Sequence, residues 1–95
     1  MAAYLIGSLD ITDPSGFMEY ARQVPAVIAQ YGGRYVVRGG AAEMIEGDGP
    51  LHRQVVLEFP DMAALRTWYA SPEYAPLLAM RQRTSRTKVI FVEGA

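Results

Sequence analysis

The chain has 95 residues, 51 % of them hydrophobic and 20 % charged, with a formal net charge of −1. That balance fits one folded domain over residues 1–95 and offers no broad attraction to nucleic acid or anionic membrane. Cysteine is absent and His52 is the one histidine, which excludes disulfides, thiolate catalysis and a metal site built from Cys or several His within one chain.

The N-terminal run Met1–Gly7 contains no basic residue, and its apolar stretch is too short to be expected as a signal peptide. No stretch approaches the roughly 18 apolar residues of a membrane span, so a cytoplasmic protein is expected. Residues 3–11 are rich in strand-forming types and predict a first strand. Asp13-Pro14 then reads as a helix start, with an oxygen to cap free N–H groups and proline at the first helical position. Phe17, Tyr20, Val24, Val27, Ile28 and Tyr31 recur at helical spacing. Pro25 lies inside that stripe, where it costs a hydrogen bond and is expected to bend the helix. Gly32-Gly33 ends it.

Residues 34–46 predict a second strand, interrupted by Gly39-Gly40, which suggest a bulge, a bend or a close backbone approach. Glu46-Gly47-Asp48-Gly49-Pro50 is the strongest turn signal, and residues 51–59 predict a third strand paired to the second as a hairpin. Pro60-Asp61 opens a second helix whose buried face is Leu65, Trp68 and Tyr69. Ser71-Pro72-Glu73 restarts a helix running to about Gln82, and residues 87–93 form the last strand.

The order is strand, helix, strand, strand, helix pair, strand, which is the α+β, ferredoxin-like βαββαβ arrangement with a four-stranded antiparallel sheet. Helices cover one face of such a sheet, and the other should then be polar. Here Tyr4-Leu5-Ile6, Val55-Val56-Leu57 and Val89-Ile90-Phe91-Val92 are apolar on both faces. The expected cover is the sheet of a second copy, giving a homodimer. An RNA-recognition module shares this topology, but Arg53–Phe59 lacks its basic, glycine and aromatic pattern, so no nucleic acid partner is expected.

Thr12-Asp13-Pro14, Tyr31-Gly32-Gly33-Arg34-Tyr35, Arg38-Gly39-Gly40, Glu46-Gly47, Phe59-Pro60, Trp68-Tyr69-Ala70-Ser71-Pro72-Glu73-Tyr74 and Val92-Glu93-Gly94 fall in an order and spacing that resembles the family called domain of unknown function 1330. This family lies within the dimeric α/β-barrel superfamily, and the resemblance spans about residues 4 to 94. It implies a ferredoxin-like subunit that pairs its sheet with a partner's, and it implies no activity. Members of the wider superfamily include cofactor-independent monooxygenases, lactone isomerases and haem-degrading enzymes, whose functions do not transfer with the fold. Haem chemistry is disfavoured because the histidine is not in a helical segment and asparagine is absent. No cofactor is expected.

Arg38 is the leading candidate for chemistry, a guanidinium in a strand of apolar neighbours. It reads either as an anchor for a carboxylate or as half of a structural pair with Glu58, which hairpin pairing is expected to place opposite. Tyr20, Tyr35, Trp68, Tyr69 and Tyr74 are candidate cavity walls, with helix core as the competing reading for Tyr20, Trp68 and Tyr69. Arg81 either faces the same cleft or joins Arg53, Arg83, Arg86 and Lys88 as a solvated basic face. Ser71 reads as a cap, and His52 as an exposed residue beside the turn, of a residue type that can serve as a base. Three functions stay open: cofactor-free proton transfer or isomerisation on a small acidic or carbonyl-bearing molecule, binding of such a molecule without chemistry, and a structural homodimer.

Overall fold

A computed structural model describes residues 1–95. The elements are β1 (Ala3–Ile11), α1 (Pro14–Gln30), β2 (Arg34–Arg38), β3 (Arg53–Phe59), α2 (Met62–Tyr69), α3 (Ala75–Thr84) and β4 (Ser85–Glu93). The strands form one sheet in the order β2-β3-β1-β4, with every neighbouring pair antiparallel. This is the ferredoxin-like α+β arrangement that the order of elements predicts.

Local chemistry sets the helix ends. Asp13 accepts a hydrogen bond from the Gly16 N–H at 3.2 Å, and Asp61 accepts one from the Ala64 N–H at 2.8 Å, each satisfying a first-turn donor. α1 runs without interruption through Pro25, and Gly32 follows it with φ +83°. The third helix starts later than Ser71-Pro72-Glu73 suggests. Ser71 caps the turn instead: its hydroxyl donates to the Trp68 carbonyl at 2.8 Å and accepts from the Tyr74 N–H at 3.1 Å.

Two strand boundaries differ from expectation. β2 stops at Arg38, and residues 41–45 are exposed and form no ladder. Gly39 turns the chain with φ +68°, and residues 39–52 form a loop in place of a tight hairpin turn. β4 starts at Ser85 rather than 87, because Thr84 closes α3 directly onto it. The Thr84 carbonyl accepts from the backbone N–H groups of Thr12 and Asp13 at 2.9 and 3.0 Å, which ties the end of α3 to the start of α1.

The core lies between sheet and helices. Leu5, Leu57 and Phe59 meet Val24, Ile28, Leu65 and Trp68, all 4 % exposed or less. Burial alternates along β1, since Ala3, Leu5, Gly7 and Leu9 are buried and their neighbours are not. The other face is uncovered. One row across it reads Val37, Val56, Ile6 and Ile90 in strand order, one apolar side chain from each strand. The next row reads Arg34, Glu58, Tyr4 and Val92.

That second row corrects the expected Arg38–Glu58 pair. Arg34 already faces Glu58, and a bulge at Val36 then shifts the register by one residue so that Arg38 faces Val55 rather than Gln54. Glu58 belongs to the open face, where it accepts from Arg34 Nε and the Tyr4 hydroxyl, both at 2.8 Å. Those hydrogen bonds, that of Tyr4 foremost, hold its carboxyl below the usual carboxylate range.

Candidate functional site

The covered face of the sheet carries a second informative row. Across the four strands it reads Arg38, Val55, Gly7 and Val89. Gly7 sits at the centre of β1, buried and without a side chain. A Cβ placed there would touch Leu5, Lys88 and Val89 only at 3.6 to 3.9 Å, ordinary contact distances. The space above Gly7 is therefore open, and it forms the floor of a narrow cavity with about 30 Å³ of water-accessible space. Phe17, Tyr20 and Ala21 of α1 roof it, and Leu5, Leu9, Val55 and Leu57 give it apolar walls.

Three arginines enter this apolar space, Arg38, Arg53 and Arg81, and no carboxylate lines it. Each has a different support. Arg38 Nη2 donates to the Ala21 carbonyl at 2.9 Å. In an unbroken helix that carbonyl would accept from the N–H of residue 25, and Pro25 has none. The proline thus frees the acceptor that fixes Arg38 at the mouth, and the Arg38 guanidinium lies 4.6 Å from the centre of the Tyr35 ring. Arg53 follows the inward phase of β3, with Val55, Leu57 and Phe59. Its guanidinium passes against Gly39, where any Cβ would collide with it. The expected close backbone approach at Gly39-Gly40 is this contact, made by Gly39.

Arg81 is 5 % exposed. Its Nη1 donates to the Tyr74 hydroxyl and its Nη2 to the Tyr69 hydroxyl, both at 3.2 Å. Tyr74 in turn shares a 2.9 Å hydrogen bond with Tyr20. Burial opposes the charge on Arg81, and the surrounding tyrosine oxygens outweigh it, so the guanidinium stays charged.

The tyrosines are held neutral. Burial pushes Tyr20 well above the ordinary phenol value and raises Tyr74, and burial first, then the nearness of Tyr20, carries Tyr35 up to about 12. They are therefore hydrogen-bonding groups at neutral pH rather than bases. Three buried side-chain polar atoms lack a partner: Arg53 Nε, Trp68 Nε1 and Arg81 Nε. All three are donors, and all three residues line this one cavity. Such donors carry a desolvation cost until an acceptor reaches them.

The structure thus brings Arg38, Tyr20, Tyr35, Trp68 and Arg81 to one cavity, with Tyr74 packed directly behind. Trp68 and Tyr20 are core and wall at once, so the two readings of those residues merge. Glu58 is excluded, being on the opposite face. His52 also lies on that face, with Nδ1 3.9 Å from Asp10. Arg53, Gly7 and Phe17 join the site unexpectedly. Strand phase marks Arg53, which alternates in step with buried residues, and a glycine in mid-strand among apolar neighbours marks Gly7.

The model of the family described as domain of unknown function, DUF1330, matches residues 2–95. The chain belongs to the DUF1330 family. No functionally curated protein matches this DUF1330 chain in sequence. Among solved structures it is similar to RPA0582, a protein of unknown function from Rhodopseudomonas palustris, at 18 % identity and TM-score 0.81, over 99 % of this chain and 82 % of that one. It is similar to a dimeric ferredoxin-like protein of unknown function from Jannaschia sp. CCS1, at 17 % identity and TM-score 0.74, over 99 % and 100 %. It is also similar to SnoaB, a cofactor-independent oxygenase from Streptomyces nogalater, at 15 % identity and TM-score 0.70, over 99 % and 93 %. At these identities the likeness concerns the fold of this DUF1330 chain. No helix of it is long and apolar enough to cross a membrane.

Proposed function

We propose that the cavity binds a small organic anion with an apolar body. The observation that carries this reading is a set of three arginines in an apolar cavity with no carboxylate, together with the partnerless Arg53, Trp68 and Arg81 donors. A carboxylate or an enolate-like oxygen supplies the missing acceptor, and arginine's planar fork suits it. The walls fit an aliphatic or aromatic body.

The same geometry narrows the catalytic reading. Glu58 is on the wrong face and the tyrosines are neutral, so one protomer offers no proton acceptor inside the cavity. What it offers is stabilisation of negative charge on the ligand. A cofactor-free transformation here acts on a molecule that arrives as an anion or forms one readily. The likeness to a cofactor-independent oxygenase favours keeping this as the second reading.

We also propose that the chain works as a homodimer through its open sheet face. The support is the apolar row Val37, Val56, Ile6 and Ile90, of which Ile6, Val37 and Ile90 are exposed.

Calorimetry with a medium-chain carboxylate and the primary amide of the same chain tests the binding reading. Saturable binding of the carboxylate alone, weakened in Arg38→Gln and Arg53→Gln, is expected. Equal binding of acid and amide would remove the anion claim.

A further inference from the structure

The three arginines do not approach the cavity from one side. Arg38 and Arg53 come from β2 and β3, at one edge of the sheet. Arg81 comes from α3 and is held beside Tyr69, which packs on Phe91 of β4 with ring centres 5.4 Å apart, at the other edge. Between them lies the row Val55, Gly7 and Val89, which is apolar and open above Gly7. The partnerless donors divide the same way. Arg53 Nε lies at the first pole. Arg81 Nε lies at the second, with Arg81 bound to the Tyr74 hydroxyl and the Tyr74 ring stacked 4.1 Å from that of Trp68, whose Nε1 is also partnerless. Both second-pole residues are at least nine-tenths buried, Arg81 at 5 % exposure and Trp68 at 1 %.

A single carboxylate satisfies one pole and leaves the other unpaired, which costs affinity. Resting on the anion-binding reading above, we propose that the ligand is bipolar, a short organic acid with a second acceptor group at its far end. The acid sits at Arg38 and Arg53, a slim apolar middle crosses Gly7, and a second carboxylate or carbonyl oxygen meets Arg81 and the Trp68 indole. Gly7 then acts as a size gate, because a Cβ there meets its neighbours only at ordinary contact distances while taking up the passage between the poles.

The test uses linear dicarboxylates of four to ten carbons and monocarboxylates of matching length, with affinities measured by calorimetry. The account expects one dicarboxylate length to exceed its monocarboxylate by about tenfold or more, as one added charged hydrogen-bonding contact permits. Arg81→Met should erase that gain, bringing the matched dicarboxylate down to the affinity of the monocarboxylate of the same length measured on the same variant. Gly7→Val should block the matched dicarboxylate while leaving the protein folded. The length dependence in the unmodified chain carries the result even if Arg81→Met does not fold. Monocarboxylates that bind as tightly as dicarboxylates at every length would overturn the bipolar ligand and leave a one-pole anion site standing. Failure of both series to bind would overturn this proposal and the anion-binding reading together.

Discussion

Replacing Pro25 by alanine separates what the cavity needs from what the fold needs. Proline inside a helix costs about 3 kcal/mol relative to alanine. Two effects act against the replacement. Proline restricts the unfolded chain, worth about 0.4–1 kcal/mol. Restoring the N–H of residue 25 also takes the Ala21 carbonyl away from Arg38, a contact by a largely exposed arginine worth about 0.5–1.5 kcal/mol. The balance is roughly 1 kcal/mol of added stability, or a melting temperature higher by about 4–8 °C for a domain of this size. Arg38 then loses the bond that fixes it 2.9 Å from Ala21. Ordering a free arginine on binding costs about 0.5–1.5 kcal/mol, so carboxylate affinity should fall about two- to tenfold. Thermal melts and calorimetry on the same preparation read both effects. A variant that is less stable, or that binds carboxylate as tightly as the parent, would refute the idea that Pro25 positions Arg38.

Other outcomes follow from the packing. Gly33→Ala places a Cβ about 2.5 Å from the Phe59 ring and 2.9 Å from Ile28, both fully enclosed, so it should lower stability by about 1–3 kcal/mol in denaturant titration. Ile6→Glu puts a charge at the middle of the apolar row, and light scattering should show a folded monomer where the parent is a dimer; a parent that is itself monomeric removes the dimer proposal. Tyr35 is raised from 10.0 to about 12, so the fold favours its neutral form, and Tyr20 and Tyr74 are shifted the same way. That stabilisation is complete below pH about 10 and is lost as pH rises toward 12. Melts from pH 8 to 12 should show a steep alkaline decline, with the buried phenols ionising later than free tyrosine; ionisation of all six tyrosines near pH 10 would contradict it.

The fold was largely legible from periodicity and punctuation. Asp13-Pro14 and Asp61 announce helix starts through capping, and the six-residue stripe from Phe17 to Tyr31 announces the first helix. The two-faced apolar strands announce an uncovered sheet face. The β2–β3 pairing is centred ahead of the middle of the 46–50 turn, which by itself takes Arg38 away from Glu58, and the rest of the error at β2 has a local cause. A bulge at Val36 adds one residue to one strand, and nothing in Tyr35-Val36-Val37-Arg38 signals it. One residue of slip moves Arg38 from opposite Gln54 on the open face to opposite Val55 on the covered face, and so to the cavity mouth. Residues 41–45 carry strand-like side chains, but a strand needs a ladder partner, and the turn at Gly39 leads the chain away from β3. Site residues were harder to read because they come from all seven elements. Arg53 and Arg81 look like members of a basic surface when counted by charge. Counted by phase, Arg53 falls in step with Val55 and Leu57, and Arg81 is four residues after Leu77 and three before Thr84, all buried or half-buried.

The central claim is that an organic anion enters the arginine-lined cavity over Gly7. Trp68 is the one tryptophan, so its indole N–H gives a single resonance that reports from inside the cavity. Titrating labelled protein with a medium-chain carboxylate, and following that resonance together with the Gly7 amide, tests the claim most directly. The account predicts saturating shifts of both at one shared affinity, and none with the matching alcohol. Shifts confined to surface residues, with the indole and Gly7 unmoved at saturating carboxylate, would contradict it.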